Sequence, residues 1–219
     1  SARSVKMNPA TRLLYVEVEE PDMHEPSGDF ERPKTALKDQ WGINDVELDF
    51  FQFNKLQKTL RIGNWAITVA IFKDHTATPP RIIEIWPGLY EKGLYGLAID
   101  LGSTTIAAHL TDLKSGEVIK SSGLMNPQIR FGEDLMSRVS YSMMNPGGDK
   151  EMTIVVREAI NSLAEQLRTE AEIEKNSLVE VVFVCNPVMH HLLLGIDPIE
   201  LGQAPFALAS SNPIAVSAS

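Results

Sequence analysis

The sequence predicts a mixed α/β chain of two modules, and three observations support this fold class. Its 219 residues, 43% hydrophobic and 22% charged, suffice to bury a core in one large domain or two small ones. Stretches with the two-residue alternation of strands occur between stretches with the three- and four-residue spacing of helices. The pattern changes near residue 93, where a short segment containing Pro and Gly precedes a run of closely spaced strands.

Residues 1–92 are predicted to form a small α+β module. Its predicted elements are a strand at 14–18, helices at 31–41 and 46–60, and strands at 65–72 and 81–86. Polar and proline-containing loops at 22–33 and 74–80 separate these elements. Residues 87–93 are predicted to be the linker to the second module.

Residues 93–209 are predicted to form a β-β-β-α-β-α unit around a mixed sheet, followed by a tail at 210–219. Its predicted elements are strands at 94–101, 104–111 and 117–122, a helix at 132–143, a long helix capped by Asp149, a strand at 178–185 and a helix at 187–194. Two short turns join the first three strands, which predicts an antiparallel meander. Apolar residues recur at three- and four-residue steps from Met152 to Ala171, and this stripe is predicted to be core.

Charge and cysteine content exclude several classes of function. The chain has 20 Lys and Arg residues against 29 Asp and Glu, a net charge of −9, which argues against a nucleic-acid partner because phosphate contacts require a basic surface. No run approaches the roughly 18 apolar residues of a membrane span. The single cysteine, Cys185, cannot by itself form a disulfide or hold an iron–sulfur cluster, so we predict a cytoplasmic protein. Because the chain starts at Ser1 with neither an initiator Met nor a signal-like segment, we expect it to be a fragment.

A string at the end of the first strand of the second module has the chemistry of a phosphate site. Asp100 lies near the end of that strand, and Gly102, Ser103, Thr104 and Thr105 follow. Backbone N–H groups and hydroxyls of such a turn can donate to phosphate oxygens, and glycine permits close approach. Asp100 can hold the Mg²⁺ ion that accompanies ATP. The alternative is an ordinary hairpin turn, with Thr105 pointing into its core. A P-loop is excluded, because no Lys follows the glycine and the turn leads into a strand.

Four polar residues lie where the helix at 132–143 is expected to begin. Asn126, Gln128, Glu133 and Asp134 can cap the helix and compensate the positive end of its dipole. The alternative is a role in a nucleotide cleft or in contact with a protein partner, because polar groups beside such a site often take part in function. The sequence leaves both open and identifies no catalytic residue.

Three separated strings in the second module carry a family resemblance. They are Tyr-Gly-Leu-Ala-Ile-Asp-Leu-Gly-Ser-Thr-Thr at 95–105, Asn-Pro-Gln-Ile-Arg-Phe-Gly-Glu-Asp-Leu-Met-Ser-Arg at 126–138 and Asn-Pro-Val-Met-His-His-Leu-Leu-Leu-Gly-Ile-Asp-Pro at 186–198. In this order they resemble the reductive activators of corrinoid proteins. The first string also resembles the phosphate-1 loop of the ribonuclease H-like ATPase superfamily that includes actin, sugar kinases and Hsp70.

The resemblance implies an activity, cofactors and a partner. In that family, ATP hydrolysis is coupled to the one-electron reduction of an inactive Co(II) corrinoid protein to Co(I), and an iron–sulfur domain supplies the electron. It also implies that Asp100, Gly102, Ser103, Thr104 and Thr105 bind ATP, with Asp100 holding its Mg²⁺ ion. Because this chain has one cysteine, the iron–sulfur domain is expected outside it. The family places the second half of the ATPase domain further along, so we expect the isolated chain to hydrolyse ATP poorly.

Two other functions stay open at this point. The chain can be interpreted as a non-catalytic interaction module, in which an actin-like half-domain binds a partner or a second copy of itself, or as a sugar or acyl kinase of the same superfamily. The superfamily's sheet normally has a fifth strand beside the one at 178–185, and none follows in this sequence. Because an unpaired sheet edge is a template for strand pairing, we expect this edge to favour a homodimer.

Overall fold

The computed structural model describes residues 8–24, 26–73 and 79–217. These residues form two compact units. The first unit takes in the described residues up to Leu94, with Leu113–Gly116 and Ser217, and the second takes in Tyr95–Asp112 and Glu117–Val216. None of the helices in the described ranges has the length and hydrophobicity needed to cross a bilayer.

The first unit is a four-stranded sheet with two α-helices. Its elements are β1 (Thr11–Glu17), α1 (Glu31–Trp41), β2 (Glu47–Leu48), α2 (Phe53–Ile62), β3 (Ala66–Phe72) and β4 (Arg81–Pro87). The strands lie in the order β1-β3-β4-β2, with β2 parallel to β4 and the other pairs antiparallel. Leu14 and Val16 of β1 share one core with Leu37 of α1 and Leu60 of α2.

The predicted helix at 46–60 is wrong over its first half. The α-helix begins at Phe53, and the residues before it form β2 and a short 3-10 helix, Phe50–Gln52. The Glu47 N–H donates to Pro80 O, just before β4. The Asp49 N–H donates to Ile82 O, within β4, and both distances are 2.9 Å. Pairing with this strand therefore outweighs the helical spacing of the segment.

Residues 87–93, predicted to be a linker, are partly packed on the first unit. The Thr68 hydroxyl in β3 donates to Gly88 O at 2.7 Å and accepts from the Tyr90 N–H at 2.9 Å. The Tyr90 ring stacks on Trp86 with ring centroids 4.2 Å apart. The segment still joins the two units, because the first ends at Leu94 and the second begins at Tyr95. A Pro-Gly pair indicates a turn without showing whether the residues after it are packed. Within the other predicted loop, residues 74–78 lie outside the described residues.

The second unit is a four-stranded mixed sheet with three α-helices. Its elements are β5 (Tyr95–Leu101), β6 (Thr105–Asp112), β7 (Val118–Met125), α3 (Leu135–Met144), α4 (Gly148–Glu170), β8 (Leu178–Cys185) and α5 (Pro187–Leu194). The strand order is β7-β6-β5-β8. The predicted meander of β5, β6 and β7 is confirmed, and β8 is parallel to β5. Two helices, α3 and α4, occupy the helical position between β7 and β8.

Alternation along β5 decides which of its side chains are buried. Leu97, Ile99 and Leu101 are buried in one core with the apolar stripe of α4. The predicted stripe is confirmed for Met152, Val156, Ile160, Leu163 and Leu167. Because successive strand residues face opposite sides of the sheet, Ala98 and Asp100 face away from this core, and both are exposed.

Glycine, not Asp149, precedes the long helix. α4 begins at Gly148, after Gly147 with φ of 87°, a left-handed conformation that glycine adopts without strain. The Gly148 N–H donates to Asn145 O at 2.9 Å, and this turn starts the helix earlier than predicted. Asp149 lies within the first turn, where its charge compensates the helix dipole without capping.

The outer edge of β8 has no neighbouring strand among the described residues. Val181, Val182 and Val184 are exposed on this strand. The sequence predicts that a fifth strand is missing at this edge, and an edge strand without a neighbour can pair with another chain.

Candidate functional site

The candidate site is the turn between β5 and β6, formed by Gly102, Ser103 and Thr104. The Gly102 N–H donates to Thr105 O at 3.0 Å and closes the hairpin. A Cβ atom at Gly102 would lie 2.7 Å from this same oxygen, so another residue would displace the backbone of the turn. The turn therefore requires glycine for a steric reason that does not depend on a ligand.

All three carbonyl groups of the turn accept hydrogen bonds from the protein interior. Asn126 donates twice at 2.8 Å, through its side chain to Gly102 O and through its backbone N–H to Thr104 O. Arg138 Nη2 donates to Ser103 O. Because the C=O and N–H of a trans peptide point in opposite directions, the Ser103 and Thr104 N–H groups point away from these donors. Within the described residues neither N–H has a hydrogen-bond partner. Adjacent N–H groups of this kind form an anion-binding nest.

Behind the turn lies a buried polar network of Asn126, Gln128 and Arg138. All three side chains are fully buried. The Gln128 N–H donates to Asn126 Oδ1 at 2.9 Å, and Gln128 Nε2 donates to Met152 O in α4 at 3.0 Å. The network thus connects the turn to the helix that carries the core. Asn126 and Gln128 act on the turn from inside the protein and are not exposed to a partner in this structure.

Glu133 and Asp134 lie at the surface. Asp134 caps α3 by accepting from the Ser137 N–H at 2.8 Å. Hydrogen bonds from the Ser137 backbone and hydroxyl hold the pKa of Asp134 below its usual value. The capping role of Asp134 is therefore visible in the structure, whereas contact of either residue with a partner protein stays a prediction.

Asp100 lies near the end of β5 on the exposed face of the sheet. It pairs with Ala107 in β6 and Val184 in β8. Thr105, two residues before Ala107, is exposed on the same face and lies outside the hairpin core. Within the described residues, the Asp100 carboxylate makes no hydrogen bond or ion pair, and no group of three or more His, Cys, Asp or Glu side chains can hold a metal. The carboxylate fits Mg²⁺ only if a bound phosphate supplies further oxygen ligands.

The charge of Asp100 also affects the neighbouring strand. Cys185 ends β8 opposite Leu101 and packs against the core. Burial raises the pKa of the Cys185 thiol, and the negative charge of Asp100 raises it further. The thiol is therefore protonated and weakly nucleophilic at neutral pH.

Sequence reasoning missed Arg138. Arginine in a helix is usually exposed, yet Arg138 is the largest fully buried side chain among the described residues. A weak signal was present, because Arg138 shares one face of α3 with Val139 and with Ser142 four residues later, and all three are buried.

Comparison with known proteins relates both units to one family. Residues 95–219 match the RACo middle region and residues 1–92 match the RACo linker region. The corrinoid activation enzyme RamQ of Eubacterium limosum is 33% identical over 127 residues, which make up 58% of this chain and 21% of that protein.

A solved structure, described as a reductive activator for corrinoid, iron-sulfur protein, resembles nearly the whole chain. It superposes with a TM-score of 0.80 at 31% identity, over 95% of this chain and 33% of that one. The likeness confirms the predicted fold class, an α+β module followed by part of an actin-like ATPase domain with a mixed sheet. The chain spans 33% of this relative's length and 21% of RamQ's.

Proposed function

This chain belongs to the RACo family, and we propose that it forms the linker and the first half of the nucleotide domain of an ATP-dependent reductive activator. The activator returns an inactive Co(II) corrinoid protein to Co(I) in the cytoplasm. Reduction to Co(I) is unfavourable for cellular electron donors, so nucleotide-driven domain movement supplies free energy by favouring a complex in which the corrinoid is easier to reduce. The electron comes from an iron–sulfur domain outside this chain, whose single cysteine cannot hold a cluster.

The observation that supports ATP binding is the arrangement of the β5–β6 turn. Its inward carbonyls leave the Ser103 and Thr104 N–H groups without partners among the described residues, and Gly102 permits close approach of a phosphate. The hydroxyls of Ser103, Thr104 and Thr105 add donors beside them. Asp100 has the exposure that a Mg²⁺ ligand needs. These residues bind and orient the phosphates, and the second half of the domain completes the site.

The proposal is tested on the complete protein with a corrinoid protein as partner. Conversion of Co(II) to Co(I) is followed by its visible spectrum, with and without ATP. Asp100→Asn removes a Mg²⁺ ligand and is expected to slow the ATP-dependent reduction about tenfold to a hundredfold. Glu158→Gln removes an exposed carboxylate from α4 and is expected to keep the full rate. Reduction that does not need ATP, or equal rates for the two variants, contradicts the proposal.

The isolated chain provides a second test of the same assignment. It is expected to hydrolyse ATP much more slowly than the complete protein, because the nucleotide cleft of this superfamily lies between two halves. Equal steady-state rates would show that this chain alone holds the catalytic groups. Nucleotide turnover without any effect on a corrinoid protein would favour a sugar or acyl kinase instead.

Self-association is a second candidate function, supported by the unpaired edge of β8. Exposed Val181, Val182 and Val184 would pair there with a strand of a second copy. The mass of the chain, measured by light scattering over a wide concentration range, is expected to rise towards that of a dimer. Val182→Lys is expected to restore the monomer, whereas Ile154→Lys, at an exposed site on α4, is expected to leave the dimer intact. A monomeric mass throughout excludes this function.

A further inference from the structure

Arg138 is a buried cation directly behind the candidate phosphate site. It is fully buried, and within the described residues no carboxylate lies within ion-pair distance of its guanidinium. Burial lowers the pKa of the guanidinium, and the charge of Asp134 partly offsets this effect. Arginine nevertheless stays charged in proteins, so a positive charge is present behind the turn at every physiological pH.

The guanidinium is fixed from three directions. Nε donates to Gly132 O at 3.0 Å, and Nη1 contacts Gln128 Oε1 at 3.4 Å and Met189 Sδ at 3.2 Å. Nη2 donates to Ser103 O. This planar fork therefore sets the orientation of the peptide between Ser103 and Thr104. A lysine cannot reproduce these contacts, because its ammonium group is a single point charge on a flexible chain.

We propose that Arg138 is a positioning residue for the ATP phosphates, which directs the Thr104 N–H outward and attracts the phosphates with its buried charge. The inference rests on the proposed function of the turn. Burying a charge without a carboxylate partner is unfavourable, and a neutral donor would satisfy the Gly132 and Ser103 carbonyls at a lower desolvation cost, so the fold alone does not require the charge of Arg138. The compensating charge is supplied when an anionic phosphate binds in front of Ser103 and Thr104.

The chain offers a matched control in Arg32. This arginine is also buried and also donates to loop carbonyls, at Glu19 and Glu20, but it lies in the first unit. Arg32→Met and Arg138→Met therefore remove the same buried group, each time one that donates to loop carbonyls. A purely structural role predicts that neither variant's loss of affinity depends on the number of phosphates in the ligand.

The test is the affinity of the complete protein for ATP, ADP and adenosine in the presence of Mg²⁺, measured by titration calorimetry. Arg138→Met is expected to weaken ATP binding about tenfold or more, ADP binding less, and adenosine binding less than about twofold. Arg138→Lys keeps the positive charge but lacks the planar guanidinium. Its loss of affinity is expected to be intermediate and again to grow with the number of phosphates. Arg32→Met is expected to leave all three affinities unchanged.

Equal losses for ATP and adenosine would show a structural role and overturn the inference, as would unchanged ATP affinity in Arg138→Met. If Arg138→Met fails to fold by circular dichroism, Arg138→Lys decides, and an unchanged ratio of ATP to adenosine affinity overturns the inference. A wild-type protein that binds no ATP overturns both the inference and the proposed function. A wild-type protein that binds ATP with no phosphate-dependent loss in the variants overturns the inference alone.

Discussion

The two units each bury an arginine that holds a loop, but the two loops differ in chemistry. Arg32 donates from Nη1 to Glu19 O at 3.2 Å and to Glu20 O at 3.1 Å. Arg138 donates to Ser103 O in a turn that contains glycine and hydroxyl side chains. The loop held by Arg32 carries carboxylates of its own, which repel anions, whereas the turn held by Arg138 carries none.

The same type of contact serves two purposes in the two units, because the surroundings differ. A guanidinium bonded to loop carbonyls fixes the loop in both units. In the second unit the N–H groups of Ser103 and Thr104, which have no partner within the described residues, lie beside hydroxyl side chains, whereas the loop of the first unit carries the carboxylates of Glu19 and Glu20. Function at this turn therefore depends on the N–H groups and side chains that face outward when the carbonyls accept hydrogen bonds from the interior.

The largest expected effect concerns stability. Arg138→Ala is expected to lower the free energy of unfolding by about 4 kcal/mol, because a large cavity forms and the Ser103 and Gly132 carbonyls lose a buried donor. Arg32→Ala is expected to lower it by about 2 kcal/mol, since water can solvate the carbonyls of its exposed loop. Urea unfolding of this chain separates the two. All three tryptophans lie in the first unit, so their fluorescence reports the loss in Arg32→Ala, and circular dichroism reports the loss in Arg138→Ala. Equal losses would show that the two arginines are equivalent.

Most elements of the second unit could be predicted from the sequence because their signals are local. β8 and α5 have the predicted bounds, since a β-branched run ends at an Asn-Pro pair and the helix ends at Gly195 with φ of 75°. β2 could not be predicted, because its two residues are extended only through pairing with β4.

The candidate site, too, could be predicted only as far as its signals are local in the sequence. The glycine turn follows from five consecutive residues, so the sequence predicts it. The role of Arg138 depends on a hydrogen bond to a residue 35 positions away and on the packing of α3 behind the turn. Periodicity places Arg138 on the buried face of α3, but it does not show what that face contacts.

A smaller effect is expected from two glycine substitutions that separate shape from backbone conformation. Gly102→Ala places a Cβ 2.7 Å from Thr105 O and is expected to destabilise the protein by about 2 kcal/mol through displacement of the turn. Gly42→Ala, after α1, meets no atom within 4 Å but must keep φ at 67°, a strain of about 1 kcal/mol. Only Gly102→Ala is expected to weaken ATP binding. Loss of ATP affinity in Gly42→Ala would contradict the assignment of the site to the second unit.

The smallest effect concerns the charge of Asp100, which lies on β5 two residues before the turn that Arg138 holds. Burial is the larger cause of the raised pKa of Cys185 and the charge of Asp100 the smaller one, so Asp100→Asn is expected to lower this pKa modestly and to speed thiol labelling about twofold to threefold near neutral pH. Glu158→Gln is the control, and the chain has no other cysteine to confuse the measurement.

The raised pKa of Cys185 also determines the direction in which stability changes with pH. The folded state holds the Cys185 proton more tightly than the unfolded state, so this contribution to stability is present below the ordinary thiol pKa and is lost as the pH rises through the raised value. In Asp100→Asn the labelling curve is expected to shift to lower pH, and less stability is lost between neutral and alkaline pH. Coincident labelling curves for the wild type and Asp100→Asn would mean that the carboxylate does not reach the thiol, and that the exposed face of β5 is electrostatically separate from the turn that Arg138 holds.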